Sequence, residues 1–273
     1  MILEKQVHEE LRQKYSPDGS KLRDFQVHIQ KILDIVDEIC VRNGINYWLS
    51  SGTVLGAVRH GGFIPWDDDL DIEILQSDIP RFVEACRREL PEGYVVQTHK
   101  TDRDYFLPLL KIREQKGEEV VEVMRFKDGK VCPVKYGYMG IFIDVIPIEQ
   151  ANLRLVKLSG HARTVLSLAT YYWNLPKFIL ECIWHMNQFI YSILRFISRF
   201  TSDRQHCYVT YGSWFLHQRS LDDIFPLSRI EFEGKMYNAP HDTHAYLTKI
   251  YGDYTKLPDE AGRRPSHDTN LTW

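Results

Sequence analysis

The sequence has no C-x-x-C pair: its five cysteines, Cys40, Cys86, Cys132, Cys182 and Cys207, are scattered and odd in number. Neither a zinc site nor a disulfide framework is indicated, and a reducing, cytoplasmic compartment is expected. A basic excess is missing too, with 34 Lys and Arg against 37 Asp and Glu and a pI near 6.4. That balance argues against a general nucleic-acid binder while leaving a nucleotide substrate open. The N-terminus, residues 1–6, mixes charges where a secretion signal needs an apolar run, so none is expected. An aromatic- and aliphatic-rich stretch over 152–200 is broken by Lys177, Glu181, His185, Asn187, Gln188, Arg195 and Arg199. Those interruptions deny it the roughly 20 apolar residues of a membrane span. What 273 residues at 44% hydrophobic content do provide is a large core, as one big domain or one domain with a helical appendage.

The most informative stretch is 47–74, YWLSSGTVLGAVRHGGFIPWDDDLDIEI. A short apolar strand over 45–49 leads into the small-residue turn Ser50-Ser51-Gly52-Thr53, which opens a helix from Val54 to about His60 and offers backbone N–H groups to a phosphate. Asp67, Asp68, Asp69 and Asp71 follow within five positions, and Asp69, Asp71 and Glu73 alternate with Leu70, Ile72 and Ile74 at strand period, so they share one face. Like charges so close raise one another's pKa, and a counter-cation is the simplest way to keep them ionised. Mg²⁺, with Mn²⁺ as a substitute, suits an all-carboxylate site shared with substrate phosphates.

Upstream, Leu22, Phe25, Ile29, Ile32, Leu33, Val36, Ile39 and Cys40 recur at helical spacing, after a Ser20 or Asp18 cap and before a left-handed end at Asn43-Gly44. His28 on that helix reads as packing. Downstream, the pattern predicts a helix from about Ser77 to Leu90 and strands over 94–98 and 105–112, the latter ending in Lys111-Ile112-Arg113. Lys111 and Arg113 lie on one side of that strand, either facing a phosphate or forming a solvated edge pair. Residues 118–126 and 131–135 flank the Asp128-Gly129 turn as a hairpin. The strand over 140–147 is apolar on both faces except for Asp144, a carboxylate that is costly there unless paired or metal-bound.

From 152 to 200 the pattern is helical, read as a subdomain packed on the sheet, with a membrane-surface face as the runner-up and His161 and His185 as packing or surface residues. Short strands are expected over 208–215 and 230–237 around Phe225-Pro226-Leu227, then a terminal helix over 242–251 and a solvated tail carrying Arg263, Arg264 and His267. The expected fold class is α+β, a nucleotidyltransferase-like mixed sheet flanked by helices with an added helical subdomain. Its divisions are a catalytic core over 1–150, the helical subdomain over 151–205, and a C-terminal part over 206–273 that completes the core.

Two aspartates on one strand and a third on a neighbour make the metal triad that phosphoryl and nucleotidyl transfer use, with Arg59 and Lys111 available to balance the remaining charge. A lone Asp-x-Asp is weak; joined to the Ser-Gly-Thr turn and Asp144 it becomes specific for the nucleotidyltransferase fold. The run 47–72 resembles the signature of LicD-type phosphocholine transferases. So do Pro17-Asp18-Gly19-Ser20-Lys21-Leu22-Arg23, Lys111-Ile112-Arg113, Gly140-Ile141-Phe142-Ile143-Asp144 and Tyr251-Gly252-Asp253-Tyr254-Thr255-Lys256-Leu257-Pro258.

The resemblance implies transfer of a phosphorylated alcohol, typically phosphocholine from CDP-choline, onto a hydroxyl of a cell-surface glycan. It implies Asp69, Asp71 and Asp144 as metal ligands and catalytic residues, with Asp144 also activating the acceptor. Ser51, Gly52 and Thr53 would touch the donor phosphates, and Arg59 and His60 belong to the signature. The sequence departs from the family after Arg113, where Glu114-Gln115-Lys116-Gly117 replaces a polar, threonine-containing continuation. Relatives handle choline, glycerol or ribitol phosphates, and choline would want an aromatic cage. The competing readings are transfer of a nucleotide from ATP to a small hydroxyl compound, and a catalytically silent glycan- or nucleotide-binding protein.

Overall fold

The computed structural model describes residues 5–117, 119–126, 128–203 and 205–265. Helix α1 (Lys5–Tyr15) leads to α2 (Lys21–Asn43), where Ser20 accepts the Arg23 N–H as N-cap and Gly44, at φ 58°, closes the end in the left-handed region. The spaced apolar stripe of α2 is buried from Leu22 to Cys40 against the sheet. Strand β1 (Tyr47–Leu49) then enters α3 (Ser51–His60) directly. The expected free turn at 50–53 is therefore the first turn of the helix: Ser50 is extended and its carbonyl already accepts the Thr53 and Val54 N–H groups.

Strand β2 (Asp71–Leu75) is followed by α4 (Ile79–Glu89), β3 (Tyr94–Gln97), β4 (Leu110–Glu114), the small hairpin β5 (Val123–Arg125) and β6 (Val131–Pro133), and the long β7 (Phe142–Gln150). The hairpin forms where Asp128-Gly129 placed it; Glu118 and Lys127 of that expectation lie outside the described residues. Residues 105–109, expected as strand, are irregular, because Tyr105 and Phe106 turn into two separate apolar clusters instead of alternating along a ladder.

Helices α5 (Leu153–Ser167) and α6 (Lys177–Thr201) follow, joined through a π-helical turn over Leu168–Tyr172. Then come β8 (His206–Val209), β9 (Arg219–Ser220), α7 (Leu221–Ile224), the hairpin β10 (Ser228–Phe232) and β11 (Lys235–Ala239), and α8 (Thr243–Tyr251). The single strand expected over 230–237 is two strands, since Glu233 and Gly234 adopt positive φ and turn the chain back. His267 lies outside the described residues.

The main sheet runs β1-β2-β7-β4-β3, with β8 and β9 added beyond the far end of β7. Only β2 and β7 are parallel; the other pairs are antiparallel, which makes the sheet mixed. Helices cover it, and Phe232, Tyr237, Tyr246 and Leu247 from the C-terminal elements join the same core as α2. Helices α5 and α6 build a smaller cluster of their own with Val156, Tyr191, Leu194, Tyr208 and Tyr211.

Candidate active site

Parallel pairing of β2 with β7 sets Asp71 directly opposite Asp144. Asp69 precedes β2 and is not in the strand, yet the ladder continues past its neighbour, since Leu70 accepts the Asp144 N–H at 2.9 Å. One carboxylate oxygen from each of Asp69, Asp71 and Asp144 falls within 4.8 Å of the others. The Asp71 N–H donates to Thr53 Oγ1 at 2.9 Å, which ties the carboxylate cluster to the first turn of α3.

Loss of hydration pushes the Asp71 carboxyl well above its ordinary range, and the charges of Asp69, Asp144 and Asp67 push it further; Lys111 opposes them. Asp144 Oδ1 stands 2.9 Å from Lys111 Nζ as an ion pair but accepts no hydrogen bond. Three converging carboxylates form a hard, oxygen-only set of the type that holds Mg²⁺.

A cavity of about 510 Å³ opens over this cluster. Ser51, Gly52 and Thr53 line it together with Asp67, Asp69, Asp71 and Asp144, so the N-terminal end of α3 and the carboxylates face one space. Ser51 holds φ at 44°, unusual for a residue with a side chain, where the strand bends into the helix. A Cβ on Gly52 would sit 3.3 Å from Asp67 Oδ2. The aspartate run also divides: Asp67 lines the cavity, whereas Asp68 is buried away from it.

The basic residues of the signature are placed elsewhere. Lys111 and Arg113 are both buried in β4, an interior strand between β3 and β7, so the solvated-edge alternative does not hold. Lys111 bridges Asp144 and Glu122 and lies 3.3 Å over the Phe142 ring, while Arg113 pairs with Glu122 and stacks on Phe142. Neither lines the cavity; Lys111 reaches it only through Asp144. Arg59 donates to the carbonyls of Tyr254 and Lys256 and to His60 Nε2, fastening the C-terminal segment to α3. His60 is buried against Trp66 and His8, and burial first, then Arg59, pulls its pKa down to about 3.

Sequence reasoning missed Arg219. It lines the cavity and is held by Glu73, the third acidic residue of the β2 face, at 2.7 and 2.8 Å. Glu73 is thereby engaged by an arginine instead of joining the carboxylate cluster. Phe215, His217 and Tyr251 also line the cavity. Of these only Tyr251 carried a signal, as the first residue of the C-terminal motif.

Residues 44–131 match the family described as "LicD/FKTN/FKRP, nucleotidyltransferase domain". The chain is 30% identical over 264 residues to the "Lipopolysaccharide cholinephosphotransferase LicD" of Haemophilus influenzae, covering 90% of this chain and 96% of that one. It belongs to the LicD family. Two further matches are more local. A 36-residue segment is 53% identical to "Ribitol 5-phosphate transferase FKRP" of Homo sapiens, over 13% of this chain and 7% of that one. An "Uncharacterized protein RP689" of Rickettsia prowazekii is 28% identical over 168 residues, covering 54% of this chain and 59% of that one. Among the described residues, no helix is long and apolar enough to cross a membrane.

Proposed function

We propose that this LicD-family transferase moves a phosphorylated alcohol, phosphocholine foremost, from a CDP-linked donor onto a hydroxyl of a cell-surface glycan. The observation that carries the reading is the convergence of Asp69, Asp71 and Asp144 beneath the N-terminal turn of α3 in one cavity. Similarity to the cholinephosphotransferase runs along nearly the whole chain, whereas the ribitol phosphate transferases match over a short segment, which favours choline over ribitol.

Asp69, Asp71 and Asp144 would hold Mg²⁺, which when bound neutralises phosphate charge and acidifies an attacking hydroxyl. The Ser51-Gly52-Thr53 turn presents the positive end of α3 to the donor phosphates, and Arg219 adds a fixed cation to the same cavity wall. Lys111 pairs with the Asp144 carboxylate and keeps it in register, positioned to orient the acceptor hydroxyl and take its proton. Incubation of the purified protein with Mg²⁺, a glycan acceptor and CDP-choline, CDP-ribitol, CDP-glycerol or ATP tests the reading. CMP release from a CDP-alcohol is expected, with CDP-choline fastest; pyrophosphate release from ATP with no turnover of any CDP-alcohol would replace it with nucleotide transfer.

A further inference from the structure

Helix α6 presents an apolar face to solvent. Phe178, Met186, Phe189, Ile193, Phe196, Ile197 and Phe200 are between 40% and 77% exposed. At 100° per residue, together with exposed Cys182, they fall within an arc of about 100° on one side of the helix. The opposite side, Leu180, Asn187, Tyr191, Leu194 and Ser198, is buried in the protein. A stripe of this size over 25 residues, roughly 37 Å of helix, is far beyond the scattered apolar exposure of an ordinary surface.

The charges of the segment itself are mostly basic. Residues 152–202 hold six Lys and Arg and a single acid, Glu181, in a chain of net charge −3, so this segment is +5 and the rest −8. Glu181 is half-buried and bonded to His99 at 2.9 Å, which leaves no exposed acid on α6. Lys177 and Arg199 lie along one border of the stripe, at its two ends, with Lys177 ion-paired to Asp104 at 2.7 Å. Asn152 bonds Ser198 Oγ and the Thr201 carbonyl, which sets exposed Arg154 and Lys157 of α5 beside the Arg199 end. Exposed Tyr172 and Trp173 stand at the other end, residue types that favour a boundary between oil and water.

We propose that this face docks flat on an anionic lipid bilayer, with the phenylalanines in the acyl boundary and Arg154, Lys157 and Arg199 at the head groups. A second copy of the chain fits less well, because a symmetric contact through α6 would bring two sets of Arg154, Lys157 and Arg199 together. The inference stands apart from the transfer reaction and rests on α5 and α6 alone.

Flotation of the full chain with phosphatidylglycerol–phosphatidylcholine vesicles, against pure phosphatidylcholine, tests it. At low salt the anionic vesicles are expected to retain roughly tenfold more protein, an excess that falls as salt shortens the Debye length. The paired substitutions Phe189→Glu with Phe196→Glu should cut retention about tenfold without changing the melting temperature. Should that variant fold poorly, Lys157→Glu with Arg199→Glu, at exposed positions, should give the same loss on anionic vesicles. Equal retention by wild type and the charge-reversed variant, or no retention on anionic vesicles, would overturn the proposal. So would a wild-type dimer that the phenylalanine substitutions dissolve, which would assign the face to a second copy.

Discussion

Glu73 is fully buried in β2, and its carboxylate receives the Trp48 indole N–H and the Ser50 hydroxyl at 2.8 Å each, besides the Arg219 guanidinium. Glu73→Ala removes the anion but leaves Arg219, 3% exposed, with its charge enclosed and the indole N–H without an acceptor. An uncompensated buried charge of this kind costs about 3–5 kcal/mol. In a chain of this length each kcal/mol lowers the melting temperature by about 2–4 °C, so a fall of roughly 10 °C is expected. Urea denaturation of Glu73→Ala, Arg219→Met and the combination Glu73→Ala with Arg219→Met measures it. The pair should cost clearly less than the sum of the single substitutions, because the second change removes the stranded partner. A loss below about 1 kcal/mol for Glu73→Ala, or strict additivity in the pair, would refute the reasoning.

Gly56 packs so closely on the 61–64 connection that a Cβ would meet the Gly62 carbonyl oxygen at 2.4 Å, a contact with backbone that cannot yield. Gly56→Ala should therefore destabilise by about 1–3 kcal/mol in denaturant titration despite its better helix propensity. Because His60 stays neutral in the folded protein down to about pH 3 while the unfolded chain takes up a proton near 6.5, its contribution is intact above 6.5 and lost as pH falls toward 3. His60→Gln should flatten that acid limb by at most about 3 kcal/mol at pH 4, read from urea midpoints at both pH values. Mg²⁺ at 100 times its dissociation constant should add about 2.7 kcal/mol, seen as a rise in melting temperature that EDTA reverses and Asp71→Asn lacks.

Helix α2 was legible because its evidence is local: an unbroken apolar stripe, a serine cap and a glycine end, all realised. The Asp71–Asp144 pairing was legible for a different reason. A buried strand with one carboxylate, about seventy residues from an Asp-x-Asp strand, has few ways to avoid the cost of burial, and sheet pairing supplies one. Lys111 and Arg113 were less readable. Three charged residues in β4 look like an edge strand, and their neutralising Glu122 comes from a short irregular segment with no periodicity. Arg219 was invisible for the same reason at longer range, since its partner Glu73 is 146 residues away and no spacing rule links them. Arg59 looked like a phosphate ligand because it sits in the signature. Its guanidinium instead secures Tyr254 and Lys256, which places Tyr251 at the cavity through a contact between two motifs far apart in sequence.

The central claim is that Asp69, Asp71 and Asp144 form one metal-dependent transfer site. Its most direct test is the rate of CMP release from CDP-choline, with Mg²⁺ and a glycan acceptor, by wild type and by Asp71→Asn, alongside the melting temperature of each. The side chain keeps its size and loses one of several crowded charges, so the variant should melt no lower than metal-free wild type while its rate falls about a thousandfold. A folded Asp71→Asn protein that releases CMP at close to the wild-type rate would contradict the account.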